Sequence, residues 1–437
     1  MAMADIFAPG FKETPYWWEA AAPTQADKPV DLPANVDVAI VGGGYAGLSA
    51  ALELRRQGVG ALVIEAERIG FGASSRNGGA VSGGLKLAQG DMAKRMGDAR
   101  AAAILEEAAQ SLPYLEDLIQ REGIECHYRR SGRFVGAHCR KVYDGMAARA
   151  EKLQALTGLR AYALPKERQH EEINTGYYAG GMVADATGSL HPALYHQGLA
   201  AAARRAGAVV VDSTRVSKVT RGEDGFTVAT PRGTVRAREV LVATNGYTDK
   251  AAPWLKRRLI PVASYIIATE PLPPEQMKRL IPNGRMISDT NRVLHYYRPS
   301  PDGTRILFGG RASFRSITPR EAAPTLHRFM CDIWPELKST KITHAWTGNV
   351  AFTFDFTPHI AVNDGIHYAA GCQGSGVAMA TWLGHQAALQ IARRANRPSA
   401  FFGLDFPTMP TYSGNPWFLP IVGTAYRFQD WLDRRAG

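Results

Sequence analysis

The chain holds 437 residues, 45% of them hydrophobic and 21% charged, with 44 Gly and 26 Pro. That suits two intertwined globular domains and excludes a collagen-like, low-complexity or largely disordered protein. The 51 Lys and Arg against 40 Asp and Glu give a net charge of +11. This surplus is solvated surface, a field steering an anionic cofactor or substrate, or a contact with nucleic acid or lipid. There is no basic cluster interleaved with aromatics and no helix-turn-helix or zinc spacing, so nucleic acid is not an expected partner.

No run approaches the roughly 18 apolar residues of a spanning helix. The first 34 residues hold five prolines and no compact apolar segment ahead of a small-residue cleavage site, so a signal peptide is not expected. Cys126, Cys139, Cys331 and Cys372 are scattered without metal-ligand spacing. Neither a metal site nor a disulfide scaffold is expected, and a reducing cytoplasm is the expected location.

Residues 36–41, Val-Asp-Val-Ala-Ile-Val, read as a buried parallel strand. They run into Gly42-Gly43-Gly44-Tyr45-Ala46-Gly47 and a helix that Gly58 stops; Ala61–Ile64 is the next strand, ending at Glu65 and Ala66. An alanine-rich helical stretch around 101–120 is expected to be interrupted at Pro113. Pro192–Ala206 reads as a helix with Pro in its first turn, His191 as a helix-start residue, and Val209–Val211 as the strand that follows. Three short segments, Val216–Thr220, Phe226–Thr230 and Thr234–Arg238, read as an antiparallel meander ahead of a separate strand, Val240–Ala243. Ser264–Thr269, Val293–Arg298 and Ile306–Phe308 are further strands. Tyr368–Ala370 leads into a second glycine cluster, Gly371–Gly376, and the apolar helix Val377–Arg393. Finally, Asn415–Arg435 carries apolar residues at helical spacing. It is expected to pack on the body, with membrane-surface or partner docking as the alternative.

Gly42, Gly44 and Gly47 fit G-x-G-x-x-G between a strand and a helix. The first permits the tight turn, the second lets a pyrophosphate approach the backbone, and the third lets the helix pack on the sheet. Free N–H groups at the helix start then meet the phosphates. Glu65 stands 18 residues beyond Gly47, placed to accept hydrogen bonds from a ribose 2′-hydroxyl. A dinucleotide site is the expectation.

Beyond Glu65 the chain runs Arg68-Ile69-Gly70-Phe71-Gly72-Ala73-Ser74-Ser75-Arg76-Asn77-Gly78-Gly79. With this stretch, Ser189–Pro192, Ala243–Tyr247 and Gly371–Gly376, nearly the whole chain resembles the D-amino-acid-oxidase/glycine-oxidase superfamily of FAD enzymes. Pro15–Trp18, Arg68–Ala73, Tyr296–Arg298 and Leu307–Arg311 look most like its bacterial γ-glutamylputrescine oxidoreductase branch. The resemblance implies an α/β fold class: a Rossmann-type, GR2-like FAD-binding domain with an inserted β-rich α+β substrate domain. Residues 1–34 form an arm in this division, and 35–95, 184–250 and 346–400 form the FAD domain. Residues 96–183 and 251–345 form the substrate domain, and 401–437 a tail with an amphipathic helix.

By the same resemblance, Ala73, Ser74, Ser75, Arg76, Asn77 and Gly78 wrap the flavin and ribityl chain, and Val216 meets adenine. Ala243 and Thr244 line the dinucleotide, while Gly371, Gly374, Ser375, Gly376 and Val377 open a helix towards the flavin pyrimidine. Ser75 departs from the branch, which more often has Gly there. Gly348–Ala351 lacks the flavin-linking cysteine of some relatives, so FAD is expected to be non-covalent. Arg298 matches the arginine that holds a substrate carboxylate, and its planar fork suits that task. Tyr296, Trp346, Phe354 and Gln373 are candidate pocket walls, and His295 lies near Arg298 on the same strand; no acid or base is assigned. Leu307 stands where the sarcosine-oxidase branch places an oxygen-activating lysine, so oxygen and a quinone or carrier both stay open as acceptors. The implied reaction is C–N oxidation of a small amine or amino-acid-like substrate. A D-amino-acid or glycine-type dehydrogenase and a flavin-binding subunit without amine chemistry are the alternatives.

Overall fold

A computed structural model describes residues 6–23, 30–84 and 92–436. Among these residues, one sheet grows around Asn35–Val41, whose apolar side chains are buried on both faces as a central parallel strand requires. Ala61–Ile64 pairs with it in parallel on one side and Gly233–Val242 on the other. Val209–Val211 extends the sheet beyond Ala61–Ile64, and Ile366–Ala370 joins the end of Gly233–Val242. The chain therefore leaves its first strand in one direction and returns on the other side. The crevice at the carboxyl ends, where Gly42, Glu65 and Ala243 follow their strands, is the place where open α/β sheets bind ligands.

A second, nine-stranded sheet takes Phe7–Lys12, Ile342–Thr353, Leu259–Thr269, Ile306–Gly310, His295–Pro299, Met286–Asp289, Arg133–Gly136, Gly181–Ala184 and Ala161–Leu164 in that spatial order. Its register sets up two rows on one face: Trp346, Ile266, Gly309 and Tyr296, then His344, Ala268, Leu307 and Arg298. The intervening row, Ala345, Ile267, Phe308 and Tyr297, faces the opposite way and packs with the helix Pro319–Ile333.

Four expectations change. The helix Asp98–Glu122 runs unbroken through Pro113. Losing one backbone bond there costs about 3 kcal/mol, and the buried stripe of Ile104, Ala108, Leu112, Leu115 and Leu118 outweighs it at about 1.5–3 kcal/mol for each large side chain. The third meander segment and Val240–Ala243 are one continuous strand, Gly233–Val242. The expected division at 345/346 falls inside the strand Ile342–Thr353. Part of the arm, Phe7–Lys12, is an edge strand of the nine-stranded sheet.

Candidate active site

The first turn builds as its residue types dictate. Gly42 has φ +107°, a left-handed conformation that glycine adopts without strain. A Cβ on Gly47 would lie 1.9 Å from the Gly42 carbonyl oxygen, so only glycine lets the helix Tyr45–Arg56 start there. The N-cap residue Gly44 offers this helix no side chain, and the first turn opens on the crevice. The Tyr45 amide donates to Ser74 Oγ at 3.0 Å, and the Tyr45 hydroxyl to the Pro192 carbonyl. The His196 Nε2–H donates to the Gly43 carbonyl at 2.8 Å, and burial pushes this imidazole down to about 4.

A cavity of about 220 Å³ opens here, bringing together Gly42, Gly44, Tyr45, Ala46, Glu65, Ala66, Ala73, Ser74, Val216, Ala243 and Thr244. Glu65 Oε2 accepts from the Gly43 amide at 2.7 Å and Oε1 from the Glu67 amide at 3.0 Å. Burial raises its pKa. Each oxygen keeps a lone pair for a ribose hydroxyl. A helix start whose N-cap is glycine, a turn too tight for any Cβ and a buried acceptor on one cavity fit a dinucleotide.

Other expected residues lie outside this cavity. Ser75 turns away: its hydroxyl donates to the Gly70 carbonyl and accepts from Trp18 Nε1 at 2.9 Å. Arg76 donates to the Phe71 and Thr347 carbonyls and lies over the Trp18 and Phe71 rings. The Asn77 amide donates to the Tyr45 hydroxyl and the Ala73 and Ser74 carbonyls, while its Oδ1 accepts from Gly79. At Gly78 a Cβ would meet the Tyr296 ring at 2.9 Å. The late cluster is a separate turn: Gly371 and Gly374 have φ +81° and +79°, and Ser375 precedes the uncapped helix Gly376–Ile391, with Val377 buried in its first turn.

On the nine-stranded sheet, the face bearing Tyr296 meets the segment 75–78. The Tyr296 ring lies over Gly309 and against Gly78, and its hydroxyl pairs with Ser264 Oγ at 2.9 Å. Trp346 is buried and donates to the Arg76 carbonyl at 2.7 Å; Trp17 donates to the Asn77 carbonyl at 2.8 Å. With Trp18 on Ser75, three indole N–H groups fasten three consecutive residues of this segment. Gln373 donates to Thr353 Oγ1 at 2.7 Å, pinning the late turn to the long strand, and Phe354 packs edge-on against Tyr412.

Two candidates need correcting. His295 points to the opposite face, because alternate residues of a strand do. It pairs with Asp289 Oδ2 at 2.8 Å and lies against the rings of Phe308 and Phe329. Arg298 is on the right face, but its fork is closed. Nε donates to the Pro299 carbonyl at 3.0 Å, and Nη1 donates to those of Leu190 at 2.8 Å and Gly79 at 3.4 Å. Either bidentate edge of a guanidinium needs one of these nitrogens, so Arg298 ties its strand to the segments at Gly79 and Leu190 and keeps only Nη2 for a ligand.

The cation that the motif reading missed is Arg311, two residues beyond Gly309 and thus of the same facing. Its guanidinium lies 4.9 Å from the centre of the Phe352 ring, and the phenols of Tyr296 and Tyr426 stand close enough to interact with it. Among the described residues no carboxylate pairs with it, and burial lowers its pKa. The signal available was parity: Gly309 and Arg311 share the alternation of Leu307. Asn245 was missed likewise; at φ +43° it lines the cavity and its Oδ1 accepts from Gly371, joining the two glycine turns.

The profile of the FAD-dependent oxidoreductase family, DAO, matches residues 37–389. The chain is 31% identical over 394 residues to the γ-glutamylputrescine oxidoreductase of Escherichia coli (strain K12), covering 89% of this chain and 91% of that protein. It is 30% identical over 382 residues to the probable oxidoreductase OrdL of Haemophilus influenzae, covering 86% and 87%. Among solved structures, glycine oxidase from Geobacillus kaustophilus is similar with a TM-score of 0.69 at 21% identity, over 87% of this chain and 99% of that one. L-proline dehydrogenase from P. horikoshii matches with a TM-score of 0.69 at 19% identity, over 84% and 96%. These two likenesses carry the fold.

Proposed function

Because the chain belongs to the DAO family of FAD-dependent oxidoreductases, we propose that it oxidises the C–N bond of a primary or secondary amine, γ-glutamyl-amine or amino-acid-like, to an imine that water then hydrolyses. FAD, when bound, supplies the two-electron acceptor for the hydride leaving the α-carbon. Gly42–Gly47, Glu65 and Val216 would hold its adenosine and phosphates, and Ser74–Gly78 and Gly374–Val377 its isoalloxazine side. The observation that carries the substrate reading is Arg311, a half-buried cation that no carboxylate among the described residues pairs with, following Gly309 on the face that meets Gly78. In the family's own terms a substrate carboxylate fits it, and Tyr296 and Trp346 would wall the amine in place. Alignment of a deprotonated amine is enough for hydride delivery, so no general base is assigned.

Leu307 favours a second reading for the acceptor. It is buried among Trp17, Trp346 and Ile266, and pairs across the sheet with Arg298. An apolar residue there supports a quinone or carrier in place of oxygen.

The test is an anaerobic titration of the purified flavoprotein with γ-glutamyl-amines, D-amino acids and simple alkylamines, followed by the oxidised-flavin absorbance. Bleaching by carboxylate-bearing amines and not by alkylamines is the expected result. Flavin that no amine bleaches would point instead to a subunit without amine chemistry of its own.

A further inference from the structure

The C-terminal helix Leu419–Ala436 docks through its polar side. Asp430 and Asp433 both accept from Arg292 Nη1, at 3.0 and 2.6 Å, and Asp430 Oδ2 also accepts from the Val293 amide. Arg434 donates to Asn291 Oδ1 at 2.9 Å and Arg427 to the Ala312 carbonyl at 3.0 Å. Gly423 lies against the Phe314 ring, where a Cβ would come within 2.1 Å.

The outer side is apolar. Ile421, Phe428, Trp431, Leu432 and, just ahead of the helix, Trp417 fall on one stripe at three- and four-residue spacing. They are 69%, 58%, 45%, 45% and 58% exposed. Ten large apolar side chains are exposed among the described residues, and these five are half of them. Single exposed apolar side chains are ordinary, but a contiguous stripe marks a surface that meets something.

Charge says what it meets. Both carboxylates of the helix are drawn inward by Arg292, and Arg427 and Arg434 are held to the body by the bonds above, so the charge left beside the stripe is the exposed Arg435, on a chain of net charge +11. Arg435 lies over the Trp431 ring at 4.0 Å. Indoles stand near both ends of the stripe, a side chain suited to the headgroup level of a bilayer. We propose that this helix lies in the plane of an anionic phospholipid surface, with its apolar stripe sunk among the acyl chains and Arg435 at the phosphates. It does not cross: no helix of the described residues is long and apolar enough. This surface stands apart from the amine reading and is unaffected by that reading's outcome.

The full-length flavoprotein is sedimented with vesicles of mixed phosphatidylcholine and phosphatidylglycerol, and with vesicles of phosphatidylcholine alone. Partition onto the mixed vesicles should exceed that onto the neutral ones by about tenfold or more and weaken with added salt. Phe428→Glu with Leu432→Glu should lower it at least about tenfold, with flavin content, circular dichroism and turnover in solution unchanged. Should that pair misfold, Trp431→Gln alone is read the same way. Absence of binding to the anionic vesicles, undiminished binding by the variants, or equal binding to both vesicle types overturns the proposal. So does light scattering that shows a dimer which the same substitutions split, because a second copy then covers the stripe.

Discussion

The crevice at Gly42–Gly47 and the face bearing Tyr296 and Arg311 are assembled differently. The crevice is made largely of backbone: a left-handed glycine, a helix start with glycine at its N-cap and one carboxylate all arise within the span from Gly42 to Glu65. The face is made of side chains that meet only because four strands take one register, from Leu259–Thr269 to Ile342–Thr353. A backbone site tolerates little change in shape, whereas a side-chain site tolerates substitution and answers through affinity for one chemical group.

Four substitutions probe that contrast. Gly47→Ala puts a methyl group against the Gly42 carbonyl and should leave less than about a tenth of the flavin bound, read from the flavin-to-protein absorbance ratio. Arg298→Met removes the Arg298 bonds from the Leu190, Pro299 and Gly79 carbonyls, the last of which keeps the Leu190 amide, and should cost about 3 kcal/mol of stability, seen as a lower Tm, with KM shifted less than about threefold. A selective rise in KM at constant Tm would move Arg298 into the substrate site and blur the contrast.

Acid should loosen the crevice. Burial pushes His196 and His191 down to about 4, below the unfolded value near 6.5. The unfolded chain therefore binds more protons between these values. The stability from each histidine is complete above pH 6.5 and is lost as pH falls towards 4, by about 2 kcal/mol at pH 5. His196→Gln keeps a donor for the Gly43 carbonyl and should flatten about half of this slope in Tm against pH; an unchanged slope would place the acid sensitivity elsewhere. The smallest effect belongs to Arg311→Met. KM for carboxylate-bearing amines should rise at least tenfold, about 1.5 kcal/mol, with Tm nearly unchanged and alkylamines unaffected. Equal loss on all amines would remove Arg311 from substrate recognition.

The crevice was legible because each of its parts is local. Strand, glycine turn, helix and Glu65 announce one another within a few dozen residues, and Pro192 marks the helix that His191 caps through its Nδ1. The division of labour between Arg298 and Arg311 was not legible. Besides the adjacent Pro299 carbonyl, what closes the fork of Arg298 is two carbonyls lying 108 and 219 residues away in sequence, and nothing near Arg298 advertises them. His295 is a different case. Its neighbours Tyr296 and Arg298 already imply by alternation that it faces away, so the error was one of period and not of information. Pro113 failed as a stop signal because a long buried stripe outweighed a single missing hydrogen bond.

The three indoles that grip Ser75–Asn77 bear on the order in which the protein matures. Trp17 and Trp18 leave the ribosome before the segment they hold, but Trp346 emerges some 270 residues after Arg76. During synthesis this segment therefore lacks one of its three fasteners until most of the chain has been made. Its final setting is thus a late event, completed only when the beginning and the far end of the polypeptide have met across the same short stretch.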